Sequence, residues 1–327
     1  MIDFNHFLNG TPSEKHAAAV AITEAFKNSG FVYLREHGIP PSVVSRVFGS
    51  SARFFARPQA EKDSLGWTTP QSNRGYVGRG KEKLSLPDQA SQVQELRTIP
   101  DLKESMEIGR DGIEGMPNRW PDAIDAEGQD FKQVMQAFFH TCKDLHTQVM
   151  RAIAVGMGLS EHFFDDFVDA GDNNLRLLHY PETHKEIFRS NPNQVRAALH
   201  QDYGSLTLLF QDSRGGLQVM SPKGTFVDAI PIPDAIVVNA GDLLSRWSND
   251  TIKSTRHRVV EPPKKPGEDD GSDMYPARYS IAYFCNPNFD KIIEAIPGTY
   301  DDEDATSKRY SGVSAGDYLV QRLAATY

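Results

Sequence analysis

The chain has 327 residues, enough for one large domain or two small ones with a substantial buried core. Hydrophobic residues (39%) and charged residues (24%) occur in proportions typical of soluble globular proteins. The chain has 35 basic and 44 acidic residues, which gives a net charge of −9. This balance argues against sequence-independent binding to nucleic acid or anionic membranes, because such binding requires clustered positive charge.

Targeting features are also missing from the sequence. No apolar run approaches the roughly 20 residues of a membrane span, and the first residues show neither the basic nor the apolar region of an export signal. The two cysteines, Cys142 and Cys285, cannot build a disulfide framework, so we expect two buried free thiols. These features predict an intracellular, cytoplasmic protein with no membrane partner.

The N-terminal part shows helical patterns separated by a strand. Thr11 and Pro12 are typical of an N-cap and a first helical residue, apolar residues then recur at helical spacing, and Gly30 ends the pattern. Phe31–Leu34 predicts a strand, and a second helix is expected over about Pro41–Ala56. Together they predict a helical layer over residues 1–160.

Residues 59–128 are rich in glycine, proline and charge, and they include Asn73-Arg74-Gly75-Tyr76. The segment is too long for a simple connection. Long irregular segments of compact domains are often lids or binding loops.

The longest helical pattern runs from Phe131 to Ile153, where apolar residues keep a 3.6-residue period until Gly156 and Gly158. Short strand patterns separated by turns then follow, and a final helix is expected over about Ser314–Ala325. The predicted strands are Leu175–Tyr180, Ser205–Gln211, Leu217–Met220, Ala235–Asn239 and Arg278–Phe284. We therefore predict an α+β fold, a double-stranded β-helix (jelly-roll) barrel with supporting N-terminal helices, in a single domain with its barrel core over residues 170–290.

The triplet His200-Gln201-Asp202 and the later His257 form a candidate metal site. Alternate side chains of a strand face the same side, so His200 and Asp202 can point into one cavity if a strand carries both. Two imidazoles and one carboxylate suit Fe(II) with open coordination positions, and zinc would accept the same ligands. A lone His-x-Asp triplet is a weak signal among ten histidines. The order of the strands and the residues that follow strengthen it.

Arg278 and Ser280 also lie two residues apart on a predicted strand. A guanidinium binds a carboxylate through two parallel charge-assisted hydrogen bonds, and a hydroxyl can add a third. A surface ion pair is the ordinary alternative for Arg278. The flanking Tyr279, Ile281 and Tyr283 indicate a buried strand, however, where an unpaired arginine would be costly. The pair therefore predicts a site for the distal carboxylate of 2-oxoglutarate.

In this order, these residues resemble the 2-oxoglutarate/Fe(II)-dependent oxygenase superfamily and, within it, the isopenicillin N synthase-like branch. Gly30–Leu34 followed by His37-Gly38-Ile39 is similar to the opening segment of that branch. Over nearly the whole chain the sequence resembles the thymine-7-hydroxylases (thymine dioxygenases) of this branch. The motif is specific for the cofactor chemistry and much less so for the substrate, because one barrel serves many substrates.

The resemblance implies a role for each matching residue. It implies Fe(II), 2-oxoglutarate and O2 as cofactor and co-substrates. The implied iron ligands are His200, Asp202 and His257, and the implied 2-oxoglutarate contacts are Arg278, Ser280 and Tyr180. The implied substrate contacts are Asn173 and Arg176 from Gly171-Asp172-Asn173-Asn174-Leu175-Arg176, then Tyr203, and Phe284 as the ring that stacks on the base.

The implied reaction is hydroxylation of the 5-methyl group of thymine, with further rounds to 5-carboxyuracil, so the partner would be a free pyrimidine base or a similar small ring. A sister oxygenase acting on another small cyclic or secondary metabolite stays open, and so does a zinc hydrolase. Two features depart from the family pattern. Residues 266–273 lengthen the connection between His257 and Arg278, which we interpret as an exposed loop, and Gln201 is expected to point away from the metal.

Overall fold

The computed structural model describes residues 1–67, 72–81, 101–191, 194–261 and 271–326. Within these ranges the strands are, in chain order, β1 (Ile2–Asp3), β2 (Phe31–Arg35), β3 (Gly75–Val77), β4 (Glu104–Gly109), β5 (Asn174–Tyr180), β6 (Thr183–His184), β7 (Ala197–His200), β8 (Leu206–Gln211), β9 (Leu217–Met220), β10 (Phe226–Asp228), β11 (Ala235–Ala240), β12 (His257–Val259), β13 (Met274–Tyr275), β14 (Arg278–Cys285), β15 (Ile292–Ile293) and β16 (Val313–Ser314). The helices are α1 (Asn5–Asn9), α2 (Pro12–Ser29), α3 (Pro41–Phe55), α4 (Gln59–Ser64), α5 (Ala126–Gly156), α6 (Asp165–Val168), α7 (Glu186–Ser190), α8 (Asp242–Trp247) and α9 (Ala315–Thr326).

Two sheets face each other across a cavity that residues of both sheets line. The larger sheet has the strand order β1-β2-β11-β8-β14-β5-β4-β3, and the smaller has the order β10-β9-β12-β7. Buried residues of β5 and β14 form one apolar cluster with residues of β7, β9 and β12, which lie on the facing sheet. Helices α2, α3 and α5 pack in a second cluster on the opposite face of the larger sheet. This arrangement confirms the predicted α+β jelly-roll with supporting N-terminal helices.

Helix α2 begins and ends where local chemistry predicts. At the start of α2, the hydroxyl of Thr11 accepts a hydrogen bond from the backbone N–H of Glu14, and the Glu14 carboxylate accepts one from the N–H of Thr11. Pro12 follows at the first helical position, and Gly30 closes the helix with a φ of 70°. The predicted helices at residues 41–56, 131–153 and 314–325 correspond to α3, the interior of α5, and α9.

Residues 59–128 include regular secondary structure. In the described residues they contain α4 and two strands, β3 and β4, which extend the larger sheet beyond β5. Every residue of β4 is buried, including Glu104 and Glu107. The Glu104 carboxylate accepts hydrogen bonds from Lys62 and Tyr76 and contacts His179, while Glu107 pairs with Arg176. These partners offset the cost of burying the charges, and the sequence pattern of β4 does not reveal them.

Other expectations concern single segments. Cys142 and Cys285 are buried free thiols, as predicted, and burial raises the pKa of both. Among the described residues, no helix combines the length and the apolar character needed to cross a bilayer. The expected loop at residues 266–273 lies mostly outside the described residues. Gln201 donates a hydrogen bond to the Ser254 carbonyl, 2.9 Å away.

His146, inside α5, should make stability depend on pH. Burial lowers its pKa to about 3, with a smaller contribution from nearby Lys143. In the unfolded chain the imidazole takes up a proton near pH 6.5, whereas the folded chain holds it neutral. The stability that this group contributes is therefore complete above pH 6.5 and is lost as the pH falls toward 3. Between pH 7 and 5 the loss should be about 2 kcal/mol.

Urea unfolding of wild-type protein and of His146→Gln at pH 7.0 and 5.0 measures this loss. The wild type should lose about 2 kcal/mol more than the variant, because glutamine has no proton to take up in this range. Equal losses in the two proteins would mean that the imidazole can be protonated in the folded state.

Candidate active site

Three side chains converge between the two sheets. His200 is the last residue of β7 and His257 the first of β12, and these two residues are paired across the antiparallel strands. Asp202 Oδ1 lies 3.7 Å from His200 Nε2 and 3.6 Å from His257 Nε2. The candidate ligand atoms all lie within 4.8 Å of one another, so one ion can reach all three. Asp202 lies beyond the end of β7 rather than on it, so strand alternation is not what orients its carboxylate.

The unused atoms of these side chains have partners that orient them. His200 Nδ1 lies 2.8 Å from the carbonyl of Ala198, and His257 Nδ1 lies 3.1 Å from that of Thr255. Both Nδ1 atoms therefore carry the proton, and both Nε2 lone pairs face the candidate metal position. The arrangement fits a divalent ion with two neutral imidazole ligands and one carboxylate ligand.

The Asp202 carboxylate is held from its other side. Its Oδ2 accepts hydrogen bonds from Thr207 Oγ1 at 2.6 Å and from Asn239 Nδ2 at 2.7 Å, which leaves Oδ1 directed at the two imidazoles. Burial alone would raise the pKa of Asp202. The imidazoles of His257 and His200 and these two hydrogen bonds outweigh it and lower the pKa, so the carboxylate stays ionised.

Replacing Asn239 tests whether its hydrogen bond to Asp202 helps the carboxylate to bind the metal. Asn239→Ala should weaken iron binding about 10- to 100-fold, because partners of metal ligands typically contribute that much to metal affinity. Iron affinity would be measured by competition with a chelator. Asn249→Ala is the matched control, since Asn249 is also buried but bonds to the carbonyls of Thr299 and Ser307. Equal iron affinity in both variants would contradict the orienting role of Asn239.

Arg278 and Ser280 lie on β14, and each is only 1% exposed. Arg278 Nη1 donates to Ser280 Oγ at 3.1 Å, and its Nε donates to the carbonyl of Gly215 at 2.9 Å. The Arg278 guanidinium carbon lies 4.8 Å from the ring centre of Tyr180, the third expected contact. All three line the same cavity as the metal triad. The group is suited to hold the far carboxylate of a dicarboxylate whose other end reaches the metal.

The cavity of about 170 Å³ continues along β5. Because alternate residues of a strand face the same side, Asn174, Arg176 and Tyr180 line the cavity. The side chain of Asn173, just before the strand, points away from the cavity. Its amide nitrogen donates to the Tyr283 hydroxyl, and its amide oxygen accepts from the backbone N–H of Asn286. Asn173 therefore does not line this cavity, whereas the neighbouring Asn174 does.

The other expected substrate contacts do meet in the cavity. The guanidinium carbon of Arg176 lies 5.3 Å from the ring centre of Phe284, and its Nε lies 2.6 Å from Oε1 of the fully buried Glu107. Glu107 thus holds the guanidinium beside the aromatic face. Tyr203 lines the same cavity. An aromatic surface beside a fixed hydrogen-bond donor can bind a flat ring that carries carbonyl groups.

Sequence reasoning missed several cavity residues. Asn174 could have been found from Arg176, because a spacing of two places both on one face of a strand. Asn73, Asp101 and Lys103 also line the cavity. They belong to the 59–128 segment, whose contribution to the sheet was not recognised. Leu323 reaches the cavity from α9, far along the chain, and no local pattern signals this position.

Comparisons with known proteins agree with this geometry. A family model described as the 2OG-Fe(II) oxygenase superfamily matches residues 171–287, and one described as the N-terminal part of non-haem dioxygenases in morphine synthesis matches residues 1–123. The 2-oxoglutarate-Fe(II) type oxidoreductase ppzD of Metarhizium rileyi is 36% identical, covering 100% of this chain and 90% of its own length.

The chain belongs to the 2OG-Fe(II) oxygenase superfamily.

Membership in this superfamily identifies the ion as iron and the dicarboxylate as 2-oxoglutarate, and it favours an oxygenase over the zinc hydrolase. One solved superfamily structure, thymine-7-hydroxylase from Neurospora crassa in complex with alpha-KG and thymine, is 55% identical with a TM-score of 0.90. That match covers 100% of this chain and 96% of the other. The proline hydroxylase buaE of Petromyces alliaceus is 34% identical, covering 100% of this chain and 98% of its own length. Similar relatives therefore carry names for different substrates.

Proposed function

We propose that this oxygenase hydroxylates the 5-methyl group of thymine and that further rounds oxidise the product through the aldehyde to 5-carboxyuracil. The observation that carries the proposal is the wall formed by Arg176 and Phe284 in the cavity that also contains the metal triad and Arg278. The 55% identity to a structure solved with alpha-KG and thymine supports it.

The residues of the wall match the groups on a pyrimidine dione. The ring presents two carbonyls and two N–H groups. Arg176 can only donate, so we assign it to a ring carbonyl. The amides of Asn174 and Asn73 can donate and accept, which suits an adjacent N–H and carbonyl, and both amide oxygens are buried without a hydrogen-bond partner among the described residues. Phe284 would cover the ring face.

Each group in the cavity then has a separate task. Bound iron, with 2-oxoglutarate as co-substrate, supplies the activation of O2 that no side chain can provide. Arg278 and Ser280 would hold the far carboxylate of 2-oxoglutarate, while Arg176 and Phe284 would orient the ring with its methyl group toward the metal. Each hydroxylation would consume one 2-oxoglutarate and one O2 and release succinate and carbon dioxide. The contribution of the protein is therefore geometry.

The test is incubation of the protein with thymine, Fe(II), ascorbate and 2-oxoglutarate, followed by mass analysis of the products and measurement of succinate. Hydroxylated thymine should appear with a matching amount of succinate. Uracil is the matched control compound, because it presents the same ring edge without the methyl group and should give no hydroxylated product. Succinate release unchanged by thymine, with no thymine-derived product, would contradict the proposal.

The second candidate is a sister oxygenase that acts on another small cyclic or secondary metabolite. Two relatives that match this chain over its whole length, at 34–36% identity, favour this second candidate. One is the oxidoreductase ppzD, and the other is the proline hydroxylase buaE. A panel of small cyclic compounds, including proline, would be scored by succinate release. A panel member that stimulates succinate release more strongly than thymine would favour this candidate.

A further inference from the structure

The C-terminal helix α9 forms part of the metal cavity. Leu319 and Leu323 lie four residues apart, so they share one face of the helix, and both line the cavity. Leu323 is only 6% exposed, whereas Val320 on the outer face is 40% exposed. A segment distant in sequence from the metal ligands therefore supplies apolar surface to the cavity that they line.

Contacts hold the first turn and the second half of α9 in place. At its first turn, the backbone N–H groups of Ala315 and Gly316 donate to the carbonyls of Lys291 and Phe289. Further along, Arg322 Nη2 lies 2.9 Å from Asp242 Oδ2, in a pair whose side chains are 22% and 16% exposed. This ion pair fastens the second half of α9 to the barrel.

The ion pair joins α9 to the first residue of α8, which in turn contacts the backbone of a metal ligand. The backbone N–H of Asp242 donates to the carbonyl of Asp202 at 2.8 Å, and Asp242 Oδ1 accepts from Ser254 Oγ at 2.7 Å. The guanidinium carbon of Arg322 also lies 4.8 Å from the ring centre of Tyr203, which lines the cavity. Arg322 therefore contacts an aromatic wall residue on one side and the segment next to the iron ligand on the other.

We propose that α9 is the wall that selects the substrate by size, with Leu319 and Leu323 as specificity-determining residues and Arg322 as the positioning residue that holds them over the cavity. With α9 in place, the cavity admits a small flat ring and limits the entry of water. Releasing it would widen the cavity and leave the Arg278 end unchanged. The identity of the preferred substrate ring rests on the proposed function, whereas the covering of the cavity by α9 does not.

Substrate size is tested with Leu323→Ala. The ratio of kcat/KM for N1-methylthymine to that for thymine should rise about tenfold or more, since one methylene group in an apolar pocket typically changes discrimination by that factor. Val320→Ala is the matched control, because it shortens an aliphatic side chain on the outer face of the same helix, and its ratio should stay at the wild-type value. An unchanged ratio in Leu323→Ala, or an equal rise in both variants, would overturn the specificity role.

Arg322 is tested by a measurement that does not depend on the substrate. In Arg322→Ala, succinate formation without substrate should rise several-fold while KM for 2-oxoglutarate stays at the wild-type value. Arg322→Lys should restore most of the coupling, so that succinate formation again depends on the substrate. Arg309→Ala is the matched control, because Arg309 also forms an arginine–aspartate pair, 2.9 Å from Asp250, at an exposed position.

Amide hydrogen exchange gives a readout that needs no turnover. Exchange in the second half of α9 should speed up in Arg322→Ala and not in Arg309→Ala, while the first turn keeps its protection. If thymine is not the substrate, the substrate-free succinate and exchange experiments still apply, so failure of the two proposals can be told apart. Wild-type exchange and wild-type coupling in Arg322→Ala would overturn the positioning role.

Discussion

Replacing Asp202 with asparagine should abolish iron retention and succinate formation. The carboxylate is 6% exposed, its Oδ1 lies within 3.7 Å of both imidazole Nε2 atoms, and its Oδ2 is occupied by Thr207 and Asn239. An amide keeps the shape but removes the negative charge that offsets the charge of the ion. The iron content of purified protein and succinate formed with 2-oxoglutarate and Fe(II) are the measurements.

Asp228→Asn is the matched control for this variant. Asp228 is an exposed aspartate on β10 that accepts a hydrogen bond from Gln218. The same chemical change there should leave iron content and succinate formation at wild-type levels. Retained iron and turnover in Asp202→Asn would remove Asp202 from the ligand set and, with it, the assignment of the triad.

Replacing Arg278 with leucine should raise KM for 2-oxoglutarate roughly 30- to 4,000-fold, because removing one member of a buried charge pair typically costs about 2–5 kcal/mol. The guanidinium is 1% exposed and is aligned by Gly215 and Ser280, so its position is set before the co-substrate arrives. Arg278→Lys should give a smaller increase, because it keeps the charge and loses the two-pronged hydrogen bonding. Succinate formation is measured against 2-oxoglutarate concentration.

Ser280→Ala should give a smaller rise in KM for 2-oxoglutarate, with which the Arg278→Leu result can be compared. Losing one hydrogen bond from an uncharged hydroxyl to the carboxylate should cost about 1.5–3 kcal/mol and raise the same KM roughly 10- to 150-fold. Iron content should be unchanged in all three variants, since neither Arg278 nor Ser280 belongs to the metal triad. A KM for 2-oxoglutarate in Arg278→Leu equal to that of the wild type would remove Arg278 from the co-substrate site.

Much of the secondary structure could be predicted from local chemistry. The Thr11 cap, the stop at Gly30 and the long apolar period of α5 each depend on residues close in sequence. The strand β14 was predicted from Tyr279, Ile281 and Tyr283 on one face and Ala282 and Phe284 on the other, a pattern typical of a strand buried on both faces. Where neighbouring residues decide a conformation, the sequence contains the necessary information.

Strand β4 could not be predicted in this way. Its six residues are all buried although two are glutamates, and a segment with that composition favours an exposed loop. The glutamates are tolerated because Lys62 and His179 meet Glu104 and Arg176 meets Glu107, across large separations in sequence. Burial of a charge depends on partners that only the folded chain brings together.

The sequence by itself determined the chemistry of the site: two imidazoles, one carboxylate and, further on, Arg278 with Ser280, in an order that predicted iron and 2-oxoglutarate. Only the tertiary structure decided which atoms face the cavity. It turned Asn173 toward Tyr283 and Asn174 into the cavity, and it brought α9 over the site. Residue types set what a side chain can bind, whereas strand register and long-range packing set where it points.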